Sequence, residues 1–188
     1  MKLEAIPTKV ETDRLVLRPF APSDRDAYSA YHSRPEVYRY LYTATPAGRA
    51  LDEQFDAVLA APFEREGDIL RRAVARKEDG AVLGEVLFKL ASLDALQGEV
   101  GYIFNPDFAG RGYASEAVAA MLKLGFEAIG FHRIFARLDA ANEGSVGVVE
   151  RLGFRREAHH IQNDRFDGRW GDEYVYALLA SEWAERSA

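Results

Sequence analysis

Glu99-Val100-Gly101-Tyr102-Ile103-Phe104-Asn105-Pro106-Asp107-Phe108-Ala109-Gly110-Arg111-Gly112-Tyr113-Ala114-Ser115-Glu116-Ala117 passes from a strand pattern through two glycines into a helix pattern. Over 99–104 the side chains alternate: Glu99, Gly101 and Ile103 share one face, Val100, Tyr102 and Phe104 the other, and Asn105-Pro106-Asp107 stops the strand. Beyond the glycines, Ala114, Ala117, Val118, Met121, Leu122, Gly125 and Ile129 trace a helical stripe that closes at Gly130, a residue suited to the position after a helix. In such a strand–loop–helix passage, unbonded N–H groups and the helix dipole converge on an anion. Gly110 and Gly112 allow positive φ and close backbone approach, Ala114 keeps the first turn small, and Arg111 offers a charge. Taken alone, a Gly-x-Gly between strand and helix is more often an ordinary tight connection than a phosphate site, so spacing leaves both readings open. No Gly-Lys-Ser or Gly-Lys-Thr follows, and Ser115 stands where the dinucleotide fingerprint has its third glycine; nucleotide hydrolysis and hydride transfer lose support.

Upstream, Asp13-Arg14-Leu15-Val16-Leu17-Arg18 alternates as a first strand, Ser23 with Asp26 resembles a capping box for a first helix, and Thr45-Pro46 signals a second that ends near Pro62. The Asp79-Gly80 pair joins two strands as a hairpin. Downstream, Arg133-Ile134-Phe135-Ala136-Arg137-Leu138 alternates again. Asn142 and Ser145 then open a helix carrying Val148, Val149 and Leu152, which Gly153 closes. Phe154 begins another extended region, Asp167-Gly168 marks a turn, and Glu173-Tyr174-Val175-Tyr176-Ala177-Leu178-Leu179 is a last strand. Strands and helices are mixed along the chain without repeat or linker, which predicts one α+β domain over 1–188.

The 188 residues are 48% hydrophobic and 29% charged, a globular composition, and the net charge of −6 argues against broad affinity for nucleic acid. With no cysteine there is no disulfide, thiolate metal site or cysteine-linked acyl group. Met1-Lys2-Leu3-Glu4-Ala5-Ile6-Pro7 lacks a continuous apolar run and no stretch is a membrane span, so a cytoplasmic protein with no membrane partner is expected. His159-His160 and His132 invite a metal reading, but adjacent histidines point apart on a strand and no ligand set completes a cage; no metal is expected.

Six ordered segments carry a resemblance that spans almost the whole chain. They are the strand 99–104, Gly110 to Ala117, Asn142-Glu143-Gly144-Ser145, Leu152-Gly153-Phe154, and the first and last strands with their flanks from Asp13 and to Trp183. Together they resemble the GNAT superfamily of N-acetyltransferases, and within it the branch containing ribosomal-protein N-terminal acetyltransferases. The resemblance implies a central twisted, mostly antiparallel sheet of about six or seven strands flanked by about four helices, splayed at an acyl-CoA site. It also implies acetyl transfer from acetyl-CoA to a primary amine, whether a protein N-terminus or a small molecule. One departure is Ala109, where the family pattern has Gln or Arg; a side chain is lost there, not the backbone donors.

On this resemblance the coenzyme A phosphates rest on Ala109, Gly110, Arg111, Gly112, Tyr113, Ala114 and Ser115, and the thioester carbonyl meets a backbone N–H near Ile103 or Phe104. Asn142 and Ser145 then hold pantetheine, and Ser145 protonates the leaving sulfur; without the resemblance Asn142 is a helix N-cap and Ser145 a packing residue. Glu99 leads as general base, with Glu157 and Asp164 behind it, and all three also suit surface charges. Trp170, Tyr38, Tyr40 and Tyr42 suit an acceptor pocket or simple packing. A serine acyl-enzyme is disfavoured because Glu143 replaces the leading glycine of a nucleophile elbow, leaving direct attack by the amine. A non-catalytic acyl-CoA sensor is the alternative, and a homodimer stays open.

Overall fold

The computed structural model describes residues 1, 3 and 6–187. Lys2, Glu4, Ala5 and Ala188 lie outside the described residues, so the reading of the N-terminal stretch falls partly beyond them. In chain order the elements are β1 (Val10–Glu11), β2 (Leu15–Arg18), α1 (Arg25–His32), α2 (Pro35–Tyr38), α3 (Arg49–Leu59), β3 (Ile69–Arg76), β4 (Val82–Ser92) and β5 (Gln97–Phe104). There follow α4 (Tyr113–Lys123), β6 (Arg133–Asp139), α5 (Glu143–Arg151), β7 (Arg155–Phe166), β8 (Arg169–Leu179) and α6 (Ala180–Ser187).

Among the described residues the strands form one eight-stranded sheet in the order β1-β2-β3-β4-β5-β6-β8-β7. Every neighbouring pair is antiparallel except β5 and β6. That exception follows from the long connection through α4, since parallel strands need a crossover. The alternation read in the sequence sorts the two faces. Val100, Phe88, Ile134 and Tyr176 pack with Met121 and Val149 under α4 and α5. On the opposite face Phe20, Tyr28, Tyr31 and Phe55 form a second core beneath α1 and α3, with Ile103 at its edge.

The glycine helix closes as expected: α4 continues as a π-helical segment, Leu124–Ile129, which stops at Gly130 with φ 85°. Gly125 lets it lie flat on the sheet, since a Cβ there would sit 2.8 Å from both Ile134 Cδ1 and Phe88 Cζ. Asp167 (φ 49°) and Gly168 (φ 75°) turn the β7–β8 hairpin in the left-handed conformation the Asp-Gly pair predicts.

Local details differ from the sequence reading. Ser23 and Asp26 form no capping box: the N-cap position of α1 is Asp24, whose side chain bonds backward, accepting from Ala21 N–H at 2.8 Å to close the 3-10 turn Pro22–Asp24 and pairing with Arg18. The charge-assisted pair with Arg18 holds this nearly buried carboxylate, and among the described residues Ser23 and Asp26 have no counterpart to it. Thr45-Pro46 does not start α3, which begins at Arg49 behind Gly48 (φ 52°). β1, α2 and α6 go beyond the expected elements; the first two are too short to carry a period, and α6 begins directly where β8 ends. No helix among the described residues is long and apolar enough to cross a membrane.

Candidate active site

Gly110 and Gly112 adopt φ of 74° and 78°, the left-handed conformation in which glycine is favoured. Neither is crowded: no atom lies within 4 Å of a Cβ built on Gly110, and only Arg14 Nη2, at 3.6 Å, approaches one on Gly112. The glycines serve the backbone path, which swings into α4 so that the first bond within the helix runs from Glu116 N–H to Gly112 O at 3.1 Å. The N–H groups of Tyr113, Ala114 and Ser115 therefore have no acceptor inside their own helix, and the dipole adds partial positive charge there.

Glu116 fixes this loop to the sheet. Its carboxylate accepts from Thr12 Oγ1 at 2.5 Å, from Arg14 N–H at 3.0 Å and from Arg14 Nε at 2.7 Å, while Arg14 Nη1 donates to Arg111 O at 3.1 Å. Burial works to raise the Glu116 pKa, but these donors outweigh it and hold the carboxyl below its ordinary range. Arg14 also lies over the Tyr113 ring, 4.6 Å from its centroid. Arg111 itself is exposed and outside the cleft lining.

Beside this loop the sheet opens. β5 and β6 pair at Gln97↔Arg133, Gly98↔Ile134 and Glu99↔Phe135, and the remainder of β5, from Val100 to Phe104, has β4 alone as neighbour. Asn105 N–H donates to Leu83 O of the β4 side at 2.9 Å. Because main-chain groups alternate direction along an antiparallel strand, those of Ile103 face β4, and those of Tyr102 and Phe104 face the side β6 has left. Of the two residues expected to offer an N–H, Phe104 is thus the one aimed into the gap; Ile103 contributes its side chain to the wall.

The gap, the glycine loop and the start of α5 enclose one cleft of about 880 Å³. Its lining includes Ile103, Phe104, Ala109, Gly110, Gly112 and Tyr113, together with Ala114, Ser115, Asn142 and Ser145. Asn142 caps α5, its Oδ1 accepting from Ser145 N–H at 3.1 Å, so the capping reading and the cleft reading hold together. Ser145 O in turn accepts from Tyr102 OH at 3.0 Å, which ties the helix to the open strand. Burial pushes the Tyr102 phenol up to about 12, keeping it a donor.

Two groups were not read from the sequence. Arg151, at the end of α5, lines the cleft and donates from Nη1 to Ser115 Oγ at 2.8 Å, placing a cation beside the first turn of α4. Glu36, Val37 and Leu41, on and after α2, make another wall around Tyr40, the aromatic the sequence offered for an acceptor pocket. Donors without acceptors, a cation and an open strand edge in one elongated cleft fit a long, phosphorylated ligand carrying a reactive carbonyl.

The carboxylates lie apart from this lining. Glu99 is 18% exposed, at the last paired position of β5, and accepts from Arg137 Nε at 2.9 Å. Glu157, on β7, is bound by Arg133 at 2.7 Å and Arg155 at 2.6 Å; burial opposes but these donors lower its pKa. Asp164 faces Gly171 across the β7–β8 hairpin. His159 meets Asp172 at 3.0 Å. Of the aromatics, Tyr38 is buried, Tyr40 lines the cleft, Trp170 is exposed on the hairpin under Arg165, and Tyr42 donates to Asp139.

Residues 14–155 match the family described as Acetyltransferase (GNAT) domain. An uncharacterised N-acetyltransferase of Bacillus subtilis, YnaD, is 31% identical over 93% of this chain and 98% of its own. The [ribosomal protein uS5]-alanine N-acetyltransferase of Escherichia coli is 24% identical over 93% of this chain and 92% of its own. Among solved structures, a GNAT-family acetyltransferase from Bacillus anthracis superposes with a TM-score of 0.82 at 28% identity, covering 93% of this chain and 99% of that one. Spermidine N-acetyltransferase from Vibrio cholerae, solved with CoA and spermine, shares the fold with a TM-score of 0.79 at 19% identity, over 92% of this chain and 99% of that one.

Proposed function

The chain belongs to the GNAT family of acetyltransferases, and on that footing we propose that it carries acetyl from acetyl-CoA to a primary amine by direct attack within one ternary complex. The observation that supports the reading most is the junction of three donor sets in one cleft: the first turn of α4, the unpaired edge of β5, and the N-terminus of α5. Acetyl-CoA supplies an acetyl group activated as a thioester. Gly110 to Ser115 and Arg151 bind its phosphates, Phe104 N–H orients and polarises the carbonyl, and Asn142 with Ser145 flanks the pantetheine arm.

As the C–N bond forms and the C–S bond breaks, Ser145 Oγ gives a proton to the departing sulfur and takes one back from solvent, so that the hydroxyl is restored. The amine nitrogen gives one up through water to Glu99 or to solvent. Glu99 stands outside the cleft lining, which favours a relay over direct contact. The acceptor lies against the wall made by Glu36, Val37, Tyr40 and Leu41. A peptide N-terminus and a polyamine are the first candidates, after the names of the uS5-alanine and spermidine acetyltransferases among the relatives.

The test is thiol release from acetyl-CoA with an alanine-initiated peptide, spermidine and a panel of other primary amines. Release with one of them, and formation of its N-acetyl product, is expected. Tight acetyl-CoA binding without release for any amine would overturn the catalytic reading in favour of a sensor.

A further inference from the structure

Asp139, the last residue of β6, lies outside the cleft lining but bonds to two segments that run into it. Its Oδ2 accepts from Tyr42 OH at 2.5 Å and its Oδ1 from Ala141 N–H at 2.7 Å. The second bond shapes the turn that leads into α5: Asn142 N–H donates to Asp139 O at 3.0 Å, and Asn142 then caps Ser145. The first bond reaches across 97 residues to the segment after α2, whose Tyr40 and Leu41 form the facing wall.

Tyr42 is built into this place. It holds φ 50°, a conformation rare outside glycine, and its ring occupies room left by Gly171: a Cβ there would lie 1.6 Å from Tyr42 OH and 2.5 Å from its Cζ. The carboxylate at 139 accepts from both donors at once, one oxygen for each; an amide could keep both contacts only by reversing one, its Nδ2 donating to the phenol oxygen.

We propose that Tyr42 and Asp139 are positioning residues that couple the acceptor wall to the turn carrying Ser145, so that acceptor binding and placement of the proton donor are set by one contact. The proposal rests on the reading of Ser145 as proton donor and of residues 36–41 as acceptor wall. It leaves out the phosphate cradle of acetyl-CoA, which is anchored separately through Glu116 and Arg14.

The experiment compares wild type with Tyr42→Phe, Gly171→Ala and Asp139→Ala by hydrogen exchange and steady-state kinetics. Gly171→Ala serves where Tyr42→Phe is silent, since it displaces the phenol while leaving it chemically intact. Exchange is expected to rise about tenfold in residues 39–48 and, together with them, in 140–146, with 113–123 unchanged. With whichever of the alanine-initiated peptide and spermidine the wild type acetylates faster, the acceptor KM should rise about five- to tenfold. Acetyl-CoA affinity by calorimetry should fall by less than the acceptor KM rises, because the phosphates are held at the start of α4 and only the pantetheine arm meets the loosened turn. Faster exchange in 39–48 alone, or an unchanged acceptor KM beside the faster exchange, overturns the coupling. Where wild type acetylates neither probe, the proposed acceptor classes fail and the paired exchange response alone decides for or against the coupling.

Discussion

Gly112→Glu separates a phosphate cradle from an ordinary tight turn, with Gly112→Ala as its control. At φ 78° any side chain costs about 1–2 kcal/mol of backbone strain, while the Cβ meets Arg14 Nη2 at an ordinary 3.6 Å, so steric clash adds little. In a chain of this size that lowers Tm by about 2–8 °C and leaves the protein folded. A glutamate at the start of α4 is itself tolerated, its charge interacting favourably with the dipole by about 0.3–1 kcal/mol. Against a bound pyrophosphate the same charge is repelled: at about 4 Å and an effective dielectric near 20 the penalty is about 4 kcal/mol, roughly a thousandfold in affinity. Calorimetry with acetyl-CoA should therefore rank wild type above Gly112→Ala and that variant far above Gly112→Glu, while both variants melt within a few degrees of each other. Equal affinity for the two variants would refute phosphate binding at this turn.

Ser145→Ala should lower kcat by about 10²-fold with acetyl-CoA affinity unchanged, since Asn142 caps the backbone N–H and not the hydroxyl; wild-type turnover would exclude Ser145 as the acid. Glu99→Gln should displace the acid limb of the pH–rate profile, and an unmoved profile assigns the proton to solvent. Arg151→Met should weaken acetyl-CoA binding about tenfold, with a difference from wild type that shrinks as salt is raised; a salt-independent loss would point to packing instead. Asp24→Asn removes a nearly buried carboxylate bound twice by Arg18 and should cost about 2 kcal/mol at pH 7. Burial raises the Asp24 pKa but Arg18 and Ala21 lower it on balance, so its contribution is complete above the unfolded value near 3.8 and lost as pH falls through the lower folded value. The melting curves of variant and wild type should converge in that acid range, and a constant gap would contradict the ion pair's role.

The features legible in sequence were those carried by neighbours along the chain. Alternation gave β5 its two faces, and Gly110 and Gly112 favour the positive φ they adopt, so the loop between strand and helix could be read from the local order of residues. The gap beside β5 was legible only through the family resemblance, because which strands pair is not a local property. Arg151 reaches Ser115 across 36 residues and Tyr42 reaches Asp139 across 97, and no period or spacing signals either meeting. The same holds for Glu85, buried in the middle of β4 and held by Arg71 at 2.7 Å: from the sequence it is one more charged residue in an apolar run. α2, a single turn, is too brief for periodicity, yet it leads into the wall that faces the cleft.

The three register pairs between β5 and β6 make a seam across the sheet, with β1 to β5 on one side and β6 to β8 on the other. Each side is zipped by long antiparallel ladders, so a load applied across the strands is borne at this short join and by the helices that span it. A ligand seated in the cleft would touch β5 on one side and α5, the helix that follows β6, on the other, and so act as a rivet. Its binding should stiffen the whole sheet, slowing exchange at Gly98 and Ile134 on the join itself, far from any atom it contacts.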